Sequence, residues 1–159
     1  MAEQSLITSW TDYAAAAERL LAKAAHSVAI FDHDLASLRL ERPATIASLT
    51  RFLRASPSST LRIVVHTAAP LRSNCPRLMD LLSLFAHKFH VCETPPHLAN
   101  LADSMLLIDQ ESGLIRFHRD HARSKEIIDD PQSAKPYCKR FEDLWEERGP
   151  SVSATTTGL

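Results

Sequence analysis

The chain has 159 residues, 45% of them hydrophobic, and a formal net charge of −1, which suits one globular domain with its own core and counts against a dedicated, strongly basic nucleic-acid binder. Its only glycines are Gly113, Gly149 and Gly158, too few for a GxGxxG or GxxxxGK[ST] loop whose backbone must approach a phosphate, so the usual dinucleotide oxidoreductases and P-loop ATPases are excluded. Cys75, Cys92 and Cys138 are widely spaced with no CxxC pair; they read as reduced thiols that pack as small hydrophobes rather than as a zinc site. No apolar run approaches the ~20 residues needed to span a bilayer, and no basic segment followed by an apolar stretch opens the chain. The expectation is a cytoplasmic protein without a membrane span.

In chain order, Ser5 to Thr8 reads as a minor edge strand. Tyr13, Ala17, Leu20, Leu21 and Ala24 recur at helical spacing, which predicts a helix from Trp10 to Ala25 with Ser9 or Thr11 as its cap. Ser27 to Phe31 is a short β-rich apolar run that ends in Asp32, His33 and Asp34. A second helix is predicted from Arg42 to Ala55, with Pro43 near its start, then a strand from Thr60 to His66. Pro76 opens a third helix, with Lys88 suited to its C-terminal end. A strand from Phe89 to Glu93 follows. Asp103–Asp109 and Leu114–His118 read as a hairpin of two central strands, with Gly113 in its loop for a positive φ. A polar loop is expected from Arg119 to Asp130. The last helix is placed from about Ser133 to Glu147, with Pro136 in its first turn. Gly149 and Pro150 stop it, and residues 149–159 are expected to be a disordered tail behind a domain of residues 1–148. Strands alternating with helices, then a hairpin and a helix, imply a single-domain α/β fold: a mixed β-sheet flanked by helices on both faces.

The stretch LADSMLLIDQESGLIRFHRD resembles the strand–turn–strand unit of phospholipase D-like proteins, which carries HxKxxxxD. Asp109 falls on the motif aspartate, while the histidine and lysine positions fall on Ala102 and Ser104. The preceding β-α-β-α-β order and the closing helix with Phe141 and Trp145 also resemble this family's half-domain. The resemblance implies a phospholipase D-like half with a degenerate motif. Alanine provides no nucleophile for a phospho-histidine and serine provides no cation, so the family's cleavage route is expected to be absent. Single half-domains of that family pair face to face, which implies a homodimer.

Two groups of polar residues stand out beside the motif. His118, Arg119, Asp120 and His121, close to Arg116, Arg123 and Lys125, form the densest cluster, and arginine forks suit phosphate or carboxylate. The plainer role for them is a solvated loop. Asp32, His33 and His66 end two strands at the edge where sites in open α/β sheets lie; turn-capping and ordinary hydrogen bonding are their plainer roles. An arginine on an apolar strand must be paired when buried, so Arg116 is expected to meet Asp109 or Asp32. Asp109 itself is expected to bond to the hairpin turn. The candidate ligand-binding residues are therefore Asp32, His33, His66, Asp109, Arg116, His118, Arg119 and His121, with no catalytic residue, no metal and no cofactor assigned. The leading expectation is a non-catalytic module that binds a small anion, a nucleic-acid end or a protein partner. The alternative is a metal- or histidine-dependent phosphoesterase rebuilt from Asp32, His33, His66, His118 and His121, since histidine with carboxylates suits zinc.

Overall fold

The structure, a computed structural model, describes residues 2–154. The strands are β1 (Glu3–Ile7), β2 (Ser27–Asp32), β3 (Thr60–Val65), β4 (Phe89–Glu93), β5 (Ser104–Ile108), β6 (Ser112–Arg116) and β7 (Ser124–Ile128). The helices are α1 (Trp10–Lys23), α2 (Pro43–Ala55), α3 (Ala69–Asn74), α4 (Pro76–Leu84) and α5 (Pro131–Glu146), with 3-10 turns at Ala36–Leu38 and Pro96–Leu98. All seven strands form one mixed sheet in the order β1-β7-β6-β5-β2-β3-β4. β2, β3 and β4 are parallel, and β5 reverses against β2. The remaining strands alternate antiparallel outward to β1.

Alternation along the strands sorts two cores. Val28, Ile30, Ile63, Val91 and Leu106 pack against α1, α2 and α4 on one face. Ala29, Phe31, Val64, Met105, Leu107 and Ile115 pack against Phe141 and Leu144 of α5 on the other. β5 and β6 are buried at every position, as strands apolar on both sides must be. α1 begins at a Ser9 cap that accepts the Asp12 N–H at 3.1 Å, and its alanines allow the helix to lie close on the sheet.

Several elements differ from the sequence expectation. The predicted loop from Arg119 to Asp130 contains β7, whose run SKEII is half polar because Glu126 on one face meets Arg19 of α1 and Lys125 on the other lies near the Tyr137 ring. Its pairing with β1 makes the minor edge strand part of the sheet. The third predicted helix is preceded by a separate short one, α3. Lys88 serves α2 rather than the helix before it: its buried ammonium donates to the carbonyls of Leu53, at 2.7 Å, and Ser56, where a cation complements the helix C-terminus.

α5 starts at Pro131 behind an Asp130 cap, so Pro136 lies in the second turn, inside the helix. Gly113 sits within β6 and has no positive φ; Asp109 and Gln110 make the turn, at φ 55° and 61°. The glycine is needed for proximity instead, since a Cβ there would lie 3.0 Å from the Leu106 carbonyl oxygen and 3.1 Å from Leu107. Of the expected disordered tail, residues 149–154 are corrected: the Val152 N–H donates to Val91 and the Glu93 N–H to Pro150, covering the edge of β4, and Val152 is buried. Residues 155–159 lie outside the described residues.

Candidate functional site at the C-terminal edge of β2

The direction changes of the sheet bring together the C-terminal ends of β2, β3, β4 and β6 and the start of β5. This is the crevice edge of open α/β sheets. At its base Asp32 and Arg116 form a buried ion pair with Nη2 and Oδ1 2.9 Å apart, the two side chains only 1% and 2% exposed. The same Nη2 donates to Ser104 Oγ at 3.0 Å. The sequence left Asp109 and Asp32 open as partners; the structure selects Asp32.

Asp32 Oδ2 accepts the backbone N–H groups of Asp34 and Leu35 at 3.2 and 2.7 Å, holding Leu35 in a left-handed conformation at φ 72°. A branched side chain there costs on the order of 1 kcal/mol, so the carboxylate both pairs the arginine and fixes the loop. Nε and Nη1 of Arg116 have no hydrogen-bond partner among the described residues. The guanidinium instead lies over the rings of Tyr13 and Trp10, 5.0 and 5.2 Å from their centroids, an arrangement whose attraction strengthens on desolvation. Burial, followed by the Asp32 carboxylate, raises the Tyr13 hydroxyl well above its ordinary pKa, with Arg116 opposing.

Above this base sit His66, His33 and Arg119. His66 Nε2 is 2.7 Å from the Leu101 carbonyl and Nδ1 is 2.8 Å from Thr94 Oγ1. A carbonyl only accepts, so Nε2 carries the proton and Nδ1 accepts from the threonine hydroxyl. The pKa of His66 is lowered, first by burial and further by the charges of His33 and Arg119, while the Leu101 bond and Asp32 act in the opposite sense. The unfolded chain therefore takes up a proton near the ordinary value of 6.5 that the native ring refuses. The neutral ring's stabilisation is full above about 6.5 and is lost as pH falls toward the lower native pKa. Urea midpoints are expected to drop as pH falls below about 6.5, and to drop less in His66→Asn, which retains an amide donor and acceptor but does not titrate. Equal drops in the two proteins would assign the pH dependence elsewhere.

His33 lies with its ring centroid 5.8 Å from that of His66, and its Nδ1 accepts from Arg119 Nη1 at 2.9 Å, since a guanidinium only donates. The backbone N–H of Arg119 donates to the Ala102 carbonyl at 2.8 Å, which ties the β6–β7 loop over the start of β5. His118 and His121 form a separate exposed pair on that loop, 5.5 Å between ring centroids, with Asp120 3.6 Å from His118. Asp109 is not at this site. It stands at the opposite edge of the sheet and accepts the N–H groups of Ala25, His26 and Ser27 at 2.7 to 3.2 Å, so it pins the α1–β2 junction rather than the hairpin turn. Among the described residues no three His, Cys, Asp or Glu side chains form a metal-ligand set. Of the donors expected for one, both nitrogens of His66 and both oxygens of Asp32 are already committed to hydrogen bonds. Thr94, the Leu101 carbonyl and the Trp10–Tyr13 cover escape sequence reasoning because each acts through a partner distant in the chain.

A family model described as "Domain of unknown function (DUF7931)" matches residues 9–154. Among curated proteins none matches significantly. Among solved structures the fold is similar to TrmBL2, an archaeal chromatin protein with a novel mode of DNA binding, at a TM-score of 0.66 and 14% identity over 91% of this chain and 53% of that one; the chain thus spans about half of TrmBL2. It is similar to Nuc from Salmonella typhimurium, a phospholipase D family member, at a TM-score of 0.61 and 10% identity over 96% of this chain and 99% of that one. NucT from Helicobacter pylori gives a TM-score of 0.64 and 13% identity over 93% and 98%. At such identities the likeness is one of fold, and no helix among the described residues is long and apolar enough to cross a membrane. Matched by that model along nearly all of its described length, the chain belongs to the DUF7931 domain family, and its α/β fold is that seen in the phospholipase D family member from Salmonella.

Proposed function

We propose that this protein is a phospholipase D-like module that holds a phosphodiester of a nucleic-acid strand without cleaving it. The observation that carries the reading is Arg119 on the rim. It is an exposed guanidinium whose side-chain partner is the imidazole of His33 rather than a carboxylate. Among the described residues it makes no ion pair, and its fork suits a phosphate. Because Nδ1 of His33 accepts from Arg119, Nε2 of that ring carries a proton and offers a second donor.

Ala102 and Ser104, at the positions where the family motif has its histidine and lysine, support the absence of cleavage: Ala102 presents only its carbonyl to Arg119, and Ser104 is buried against Arg116. The Asp32–Arg116 pair occupies the base and is sealed from solvent, so it props the rim rather than meeting ligand. The DNA-binding chromatin protein among the fold neighbours is compatible with a nucleic-acid ligand. Pairing of two copies, implied by the family resemblance, is part of the same reading, and a strict monomer in sedimentation at high concentration would remove that part.

The test is a panel of a chromogenic diester, a phospholipid and single-stranded DNA, with and without divalent ions. No turnover is expected, with binding of the DNA. Arg119→Ala should weaken that binding and flatten its dependence on log salt by about 0.7, as loss of one phosphate contact does for a single strand. Turnover abolished by His118→Ala, His121→Ala would replace this reading with a rebuilt active site.

A further inference from the structure

The loop between β2 and α2 carries a second feature that the rim does not use. Trp10, at the start of α1, is 42% exposed. With Ala36, Ser37 and Arg39 it lines a surface cavity of about 320 Å³. The indole is held in place by the Arg116 guanidinium at 5.2 Å and by an edge contact with Tyr13 at 5.9 Å, so a large apolar ring is fixed at the surface instead of turning into the core. Arg39 is exposed, with backbone φ 55°, and makes no ion pair or side-chain hydrogen bond among the described residues. It follows His33 by six positions on the same loop. An anchored aromatic face beside a free guanidinium, on the loop that also supplies the rim histidine, is the pairing that holds an unpaired nucleotide: the ring stacks a base and the arginine meets its phosphate.

We infer that Trp10 and Arg39 form a stacking subsite for an unpaired base of the strand whose phosphodiester lies at His33 and Arg119. The inference rests on the proposed phosphodiester-holding function and adds the substrate class, single-stranded rather than duplex nucleic acid. Stacking of this kind tolerates any base because every base offers a π face.

The experiment uses the full chain with Trp145→Phe, which leaves Trp10 as the only tryptophan, and a short oligo-dT. Binding should quench the Trp10 emission. Trp10→Ala should weaken binding on the order of ten-fold, as loss of one stacked base does, and Trp10→Phe much less. Arg39→Ala, a surface change that leaves the fold alone, should reduce the log-salt slope by about 0.7 and preserve the quench. Duplex DNA of the same sequence should bind more weakly and leave the emission unchanged. Oligo-dT that binds through Arg119 with no quench, and with unchanged affinity in Trp10→Ala and Arg39→Ala, would overturn the subsite while leaving the rim reading in place. Wild-type protein that binds no oligonucleotide would overturn both.

Discussion

Asp32→Ala is expected to be among the most damaging single substitutions in the chain, at about 3–5 kcal/mol, the cost of leaving one member of a buried ion pair without its partner. Arg116 would keep its charge at 2% exposure, with Ser104 and two aromatic rings as its remaining partners. Loss of the two N–H bonds to Asp34 and Leu35 would also free the loop that carries His33 and Arg39. The two effects separate experimentally. Arg116→Met combined with Asp32→Asn removes both charges yet keeps an acceptor for the loop, and should recover most of the stability, since replacing both members of a buried pair is often close to neutral. Urea denaturation of the two single variants and the double variant forms the cycle. Additive losses would show that the pair does not couple and that Asp32 acts on the loop alone.

The second large effect is expected far from the rim. Asp109→Ala removes a carboxylate that accepts three successive backbone N–H groups at the α1–β2 junction and places alanine at φ 55°. Charge-assisted bonds to partly exposed groups, together with a left-handed backbone that alanine disfavours, come to about 2–3 kcal/mol. Asp109→Asn should lose less, because asparagine tolerates that backbone and still accepts. Since Asp109 lies at the opposite edge of the sheet from His33 and Arg119, oligonucleotide affinity of the folded variant should be unchanged. Affinity lost in a variant that remains folded by near-UV circular dichroism would return Asp109 to the ligand site.

Most of the fold was legible because its signals are local. The apolar runs of β2, β3 and β4, the period of α1 and α2, and the hairpin of β5 and β6 all follow from patterns within a dozen residues. β7 was not legible, because Glu126 and Lys125 break its apolar run, and Glu126 is accommodated by Ser5 and Arg19, both far away in sequence. The covering of β4 by residues 149–152 was hidden for the same reason: SVS has no apolar pattern, and its pairing is made by backbone. Within the site, Asp32 with Arg116 could be anticipated from the rule that a buried arginine needs an acid. The opposite placement of Asp109 could also have been found by following strand direction, since Ser104 opens β5 and Asp109 directly follows its last residue. The Arg119–His33 contact could not, because it depends on how the β6–β7 loop folds back onto Ala102.

The most direct test of the central claim is one incubation of end-labelled single-stranded DNA with the wild-type chain and divalent ions, resolved in parallel on native and denaturing gels. The account predicts a shifted complex on the native gel and full-length, uncut strand on the denaturing one, with the shift weakened by Arg119→Ala. Shortened strands that disappear with His118→Ala, His121→Ala, or no shift at any protein concentration, would contradict it.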